Sequence, residues 1–218
     1  MRSILLLLFG LCSIVASASV VQAQDSGPFP EPVYGDAIQA PSRGGPVERP
    51  RLGVHMSLGA GGEVEFDGMG LSTDADSSLG FGLRFLYPLL TYVSVGGQVE
   101  VLYARAEGMP ERDPLLDLQL VLEGRYPFRV AQHDIEAYIE MPVGLTILFP
   151  SDSALDNGTG LAISILFGGR IWLTDRIGLY TDIGWGMHHT HNDIRRVGGT
   201  VEPILRQMIF HVGAQLAL

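Results

Sequence analysis

The densest concentration of chemistry-bearing side chains is His188-His189-Thr190-His191-Asn192-Asp193. Neutral imidazole is a common metal ligand, and spacings of one and three residues bring such rings together where a chain turns. On an extended strand only alternate positions share a face, and no fourth ligand stands at a matching spacing. A solvated loop cluster at the rim is therefore expected, and no metal. Upstream, Ser151, Asp152 and Ser153 offer hydroxyls and a carboxylate that could join His188 or His189 in a nucleophile–base set. No spacing ties them together, and such sets are recognised by geometry rather than co-occurrence. The expectation is no catalytic residue and no cofactor.

A second set of reactive groups is spread evenly along the chain, and only its periodicity gives it order. In the segment Ile135–Phe149 the odd positions are Ile, Ala, Ile, Met, Val, Leu, Ile and Phe, while Glu136, Glu140, Gly144 and Thr146 fall between them. This period of two is the signature of a strand with one apolar face. The same alternation runs through Leu52–Phe66, Leu79–Tyr87, Val93–Tyr103, Leu116–Phe128, Leu161–Leu173, Leu179–Met187 and Ile204–Leu218. Eight segments result, each at or beyond the roughly 9–11 residues with which a tilted strand crosses a bilayer.

Volume decides which face points inward. The apolar rows contain on the order of 50 mostly large side chains, and an eight-stranded barrel has an interior just wide enough for modest ones. The polar rows contain the small residues, among them Gly53, Gly82, Gly96, Gly144, Gly168, Gly184 and Gly213. Glycine weakens a strand on a solvent face, but inside a crowded lumen it makes room for Arg and Tyr. The polar face is thus predicted to line the lumen and the apolar face to meet lipid. By parity the lumen receives Glu63, Glu65, Glu100, Asp117, Glu123, Glu136, Glu140 and Asp182 against Arg84, Arg125 and Arg170. Hairpin register predicts Arg125 facing Glu136, and Arg170 beside Tyr180 and diagonal to Asp182. Charges in so narrow a space must be paired or wet, so a salt-bridged filling is expected. The excess of carboxylates opens an alternative, a narrow cation-preferring water path.

Composition agrees. The 218 residues are 46 % hydrophobic, with 28 glycines and 13 prolines, and net charge is −10. All 14 basic residues are arginine, and such acidity offers no footprint for nucleic acid. Beyond the first residues no run of 18 apolar side chains occurs, which excludes ordinary helical membrane spans. Residues 1–23 read as a secretory signal: Met1-Arg2, an apolar stretch from Ile4 to Val15, and a small-residue site at Val21-Gln22-Ala23, with Ala16-Ser17-Ala18 as a second candidate. The single cysteine, Cys12, lies within it, so the mature chain can form no internal disulfide. Residues 24–50 are rich in Pro, Gly and Ser and read as a disordered linker. The barrel occupies residues 51–218.

The final eight residues, His211-Val212-Gly213-Ala214-Gln215-Leu216-Ala217-Leu218, resemble the C-terminal signal by which the barrel-assembly machinery recognises a closing strand, with His211, Gly213, Leu216 and Leu218 at the matching positions. Together with the eight alternating segments, residues 51–218 resemble the small eight-stranded outer-membrane barrels, the OmpA- and OmpX-like family. The resemblance implies an all-β, antiparallel up-and-down transmembrane barrel in the bacterial outer membrane, with both mature ends periplasmic and outer-membrane lipid as its surroundings. The odd turns, near 67–77, 107–113, 150–160 and 188–200, become external loops, and the shorter even turns lie inside. Outward aromatics then form two girdles, Phe66, Tyr103, Phe149 and Trp185 outside and Tyr87, Tyr126 and Phe128 on the periplasmic side. Arg206, on an apolar row, is expected to snorkel at the outer border or to be turned inward by a bulge at Pro203. Function is less specified: a structural or surface-interaction role comes first, then the channel. A lipid A-modifying enzyme comes last, because some such barrels set a Ser or His at the outer membrane border.

Overall fold

The computed structural model describes residues 45–218 except 68–69, 106, 108–110, 131–132, 152–154 and 195–198. The signal sequence, the linker up to residue 44, Asp152 and Ser153 lie outside the described residues. Nine strands succeed one another in order: β1 (Arg51–Asp67), β2 (Leu71–Asp74), β3 (Ser78–Leu90), β4 (Val93–Ala104), β5 (Asp113–Val130), β6 (His133–Leu148), β7 (Gly158–Trp172), β8 (Ile177–Asp193) and β9 (Thr200–Ala217). Each long strand pairs antiparallel with its chain neighbour, and β9 returns to β1 from Arg51↔Ala217 to Asp67↔Glu202. Closure gives each of the eight long strands a partner on both edges, which a sheet in lipid requires. The ring has eight members; β2 is a short addition that pairs only with the upper part of β1. All eight segments expected from periodicity are ring strands.

The alternation appears directly as burial. Along β1 the first nine residues run strictly buried–exposed, Arg51 in and Leu52 out, and β5 and β8 repeat the pattern. Arg, Glu, Gln and His are buried while Leu120, Trp185 and Leu145 are more than 60 % exposed on the outside. This inversion of the usual soluble arrangement suits a molecule whose outer solvent is hydrocarbon.

One interruption corrects the inward row. Gly61 and Gly62 have φ of +61° and +149°, and the β1–β9 register slips between Ala60 and Gly62. An L side chain is disfavoured at both angles, and the extra residue of the bulge reverses the facing of the residues after it. Glu63 is consequently exposed and outside the lumen, contrary to the parity reading, and Glu65 faces out as well. Val64 points in. Phe66 shares Val64's parity and so leaves the predicted outer girdle. Arg206 stays on the outward face, where it donates to Glu65 at 2.7 Å, so the bulge that matters is on β1 and not at Pro203.

The other aromatics of the proposed girdles are outward. Tyr87, Tyr103, Tyr126, Phe149 and Trp185 are exposed, and Phe128 is half-buried. At the end where β1 begins and β9 finishes, Tyr126 stacks on Tyr92 with ring centroids 6.3 Å apart and lies 6.2 Å from the Phe128 ring, which adds Tyr92 to that belt. Residues 45–50, assigned by composition to the linker, belong to the barrel instead. Pro46–Glu48 form a 3-10 turn, and Val47 is 1 % exposed against Trp172 and Ala217.

Candidate functional site

The lumen is the candidate site, and it is built in layers from the end where β1 begins and β9 finishes. The lowest layer is a cluster of guanidiniums around two carboxylates. Arg51 donates to Glu123 at 2.6 Å, to Glu136 at 3.0 Å and to the Ser94 hydroxyl at 2.8 Å. Arg170 donates to Glu123 and Glu136, each at 2.8 Å, and Arg125 reaches Glu136 at 3.4 Å. The Trp172 indole N–H takes the second oxygen of Glu136 at 2.7 Å. Four donors thus converge on one carboxylate that is fully buried.

Register explains who meets whom. The β5–β6 turn is tight, with Val130↔His133 as its last pair, so Arg125 lies opposite Tyr138 and Glu136 opposite Pro127. Arg125 is therefore diagonal to Glu136 rather than facing it. Arg170 does lie beside Tyr180, as expected, but its guanidinium turns toward Glu123 and Glu136 and covers the Tyr138 ring at 4.6 Å. Asp182 is taken by others. Arg84 pairs with Glu140, lies 3.7 Å from Asp182 and covers the Tyr180 ring at 4.2 Å.

The middle layer holds His55, Glu100 and His211. The imidazoles are tilted at 34° with centroids 4.5 Å apart, and each presents its Nε2 to a different oxygen of Glu100 at 3.7 Å. The His55 Nδ1 meets the Tyr180 hydroxyl at 3.1 Å, and the His211 Nδ1 lies 2.8 Å from Asp182. Higher up, His188 Nε2 contacts Asp117 at 2.8 Å. Glycines on adjoining strands admit these rings: a Cβ on Gly82 would strike the His55 ring, one on Gly168 the Tyr138 ring, and one on Gly213 the Tyr180 ring.

Among the described residues, four buried arginines (Arg51, Arg84, Arg125, Arg170) stand with seven buried carboxylates (Glu100, Asp117, Glu123, Asp134, Glu136, Glu140, Asp182), of which Asp134 pairs with the half-buried Arg129. The two left without an arginine, Glu100 and Asp117, are each met by histidine, and His211 reaches Asp182 as well. The carboxylate excess read from the sequence is thus matched by imidazole. Above this level the lumen is closed by Leu102, Leu115, Leu205 and Ala75, with Val64, Ala104 and Leu148 against them.

The rim histidines separate as a strand dictates, and the cluster lies on β8, which extends to Asp193, not in a loop. His188 points into the lumen, while His189 and His191 point outward to Glu202 at 3.5 and 2.9 Å. No three of them converge. Ser151, in the loop after β6, donates its N–H to Asp113 at 2.8 Å, and the free Nδ1 of His188 meets no hydrogen-bond partner. The described members of the proposed nucleophile–base set are therefore not brought together. In the loops at the barrel end away from Arg51 and Ala217, Arg105 donates to Asp76, and the Arg105 guanidinium followed by the Ser77 N–H holds the Asp76 carboxyl below the usual carboxylate range.

Sequence reasoning missed three of these groups. Arg51, His55 and the inward orientation of His188 all share the parity of residues already assigned to the lumen, so the signal was present in the row itself. His211 was read only as part of the terminal signal; it is 2 % exposed and central to the network, whereas Leu216 and Leu218 are exposed and Gly213 gives its space to Tyr180.

No protein-family model matches the chain, and no curated protein matches it in sequence. Solved structures match it in fold. The outer membrane protein OprG from Pseudomonas aeruginosa aligns with a TM-score of 0.51 at 12 % identity, over 78 % of this chain and 96 % of that one. Neisserial surface protein A aligns with a TM-score of 0.44 at 12 % identity, over 77 % and 97 %. At such identity the likeness to OprG is one of fold.

Proposed function

We propose that this chain is an integral outer-membrane barrel with a non-catalytic structural or surface-interaction role, its lumen sealed and both mature ends periplasmic. The observation that carries the reading is side-chain packing across the lumen at successive levels: Val47 and Trp172 at the end where β1 begins, the arginine–carboxylate network directly beside them, and the leucine layer toward the other end. An even strand number with short turns beside the termini supports a periplasmic assignment for that end, by the usual asymmetry of such barrels. The terminal residues His211, Gly213, Leu216 and Leu218 then serve the assembly machinery during biogenesis. At the other end the strands continue into a charged rim, with Asp76–Arg105, Glu65–Arg206 and His191–Glu202 joining neighbouring segments. That rim is the surface a partner would meet.

The channel alternative rests on the excess of lumen carboxylates, and the imidazoles beside Glu100 and Asp117 weaken it. The lipid A-modifying alternative rests on the height of His188, and its contact with Asp117 inside the lumen weakens that. Recording of the purified protein in planar bilayers tests the reading. Silent membranes are expected; discrete cation-selective steps would overturn it. Mass spectra of lipid A from cells with and without the protein should be identical.

A further inference from the structure

The geometry points to a transition-metal site inside the barrel, formed by His55, Glu100 and His211. His55 is on β1, Glu100 on β4 and His211 on β9. One ligand atom from each lies within 4.8 Å of the others, and all three residues are buried. Gly82 on β3 is paired with both His55 and Glu100, and its missing side chain lets the His55 ring lean toward the carboxylate. Without Gly82 the two ligands could not approach.

The nitrogen chemistry supports a ligand rather than a closed hydrogen-bond network. Both Nε2 atoms lack a hydrogen-bond partner although their residues are almost fully buried, an arrangement that is costly unless something accepts those lone pairs. Of the opposite nitrogens, His55 Nδ1 meets the Tyr180 hydroxyl at 3.1 Å, and His211 Nδ1 lies 2.8 Å from an Asp182 oxygen as an ion-pair contact without hydrogen-bond geometry. This outer support fixes ring orientation and directs the Nε2 lone pair inward, as it does around histidine-ligated metals. The two Nε2–oxygen separations of 3.7 Å go to different oxygens of Glu100, and one ligand atom from each residue lies within 4.8 Å of the others, so an ion would draw the three together toward a tetrahedral edge of roughly 3.3 Å at ordinary Zn–ligand lengths. Two imidazoles and a carboxylate suit Zn²⁺ and its first-row neighbours, and they reject Mg²⁺ and Ca²⁺, which prefer all-oxygen shells. Water completes the fourth corner.

β1 and β9 form the seam that closes the barrel, so an ion held by His55 and His211 fastens that seam to β4. With the lumen sealed above and below, the ion enters as the barrel closes, and metal binding is coupled to folding. Its role is structural, and it stands apart from any conductance.

The test uses protein purified from membranes in detergent, unfolded with chelator and refolded with Co²⁺. The expected result is one bound ion per chain with visible ligand-field bands of low-symmetry tetrahedral Co²⁺, displaced by Zn²⁺. The double variant His55→Gln/His211→Gln should lose binding while keeping its heat-modifiable gel mobility. Tyr180→Phe should retain the stoichiometry and weaken affinity by roughly 10–100-fold. Replacing the outward pair, His189→Gln/His191→Gln, should change nothing. Loss of the bands in that outward variant, or their persistence in the folded lumen double variant, overturns the site. If the lumen double variant does not fold, the wild-type spectrum decides: bands displaced by Zn²⁺ support the assignment, and their absence refutes it.

Discussion

Glu136 is the keystone of the lowest lumen layer, and its removal gives the sharpest test of how the barrel is filled. The carboxylate accepts from Arg51, Arg125, Arg170 and Trp172 within 3.4 Å and has no exposed surface. In Glu136→Gln the shape remains but the charge is lost. Arg51 and Arg170 then rely on Glu123, to which both already donate, and Arg125 keeps only the carbonyls of Val47 and Leu90. Breaking a buried pair from one side costs about 3–5 kcal/mol, because the partner charge stays buried and uncompensated. A loss of about 4 kcal/mol lowers the folding equilibrium constant by roughly three orders of magnitude. The chain has two tryptophans, so a Trp185→Phe background leaves Trp172, a direct partner of Glu136, as the reporter in urea titrations of protein folded into vesicles. Removing one excess cation in the double variant Arg125→Met/Glu136→Gln should recover part of the loss, since contacting sites couple. An unfolding free energy for Glu136→Gln within about 1 kcal/mol of the parent, where exposed pairs ordinarily fall, would refute the claim that this carboxylate organises the layer.

The outer face can be tested at Leu120, 76 % exposed near the middle of β5: Leu120→Arg should cost about 2–4 kcal/mol in the same titration, the range for arginine at a bilayer midplane, and a neutral result would mean the face does not meet lipid. Gly168→Ala drives a Cβ into the Tyr138 ring and should cost about 1–3 kcal/mol. Gly97→Ala meets nothing closer than a carbonyl at 3.6 Å and should stay within about 0.5 kcal/mol, so equal effects at the two glycines would remove the steric explanation. In the loops beside β2, Asp76 has a folded-state pKa held down by Arg105, so its contribution to loop order is present above the unfolded value of about 3.9 and is lost as pH falls through the lower folded value. The Ser77 amide, which donates to that carboxylate at 2.8 Å, should therefore titrate in NMR spectra with a midpoint below 3.9; a midpoint at or above it counts against the clamp.

The legible part of this molecule is the part governed by a period of two. Strand number, inward and outward rows and most of the lumen charges come from parity, because burial in a barrel wall permits only two directions per residue. Parity fails where backbone conformation rather than side-chain type sets direction. Gly61-Gly62 reads as an ordinary glycine pair within an alternating row, yet its left-handed angles insert a bulge that turns Glu63 and Glu65 outward. Partner choice was also hidden. Register places Arg170 beside Tyr180, but a guanidinium reaches far enough to leave its cross-strand neighbour for carboxylates on β5 and β6.

The histidines show why the remainder resists a linear reading. His188, His189 and His191 are adjacent in sequence, and the strand sends them to opposite faces, one to Asp117 and two to Glu202. His55 and His211 are separated by most of the chain, and ring closure between β1 and β9 brings their imidazole centroids to 4.5 Å. Proximity in sequence is a poor guide in a barrel because each strand contributes only every second residue to the lumen. Convergence depends on shear between strands, which alternation leaves undetermined. A constellation of ligands therefore has to be sought among single inward residues of different strands, each beside a glycine that opens the path, as Gly82 does between His55 and Glu100.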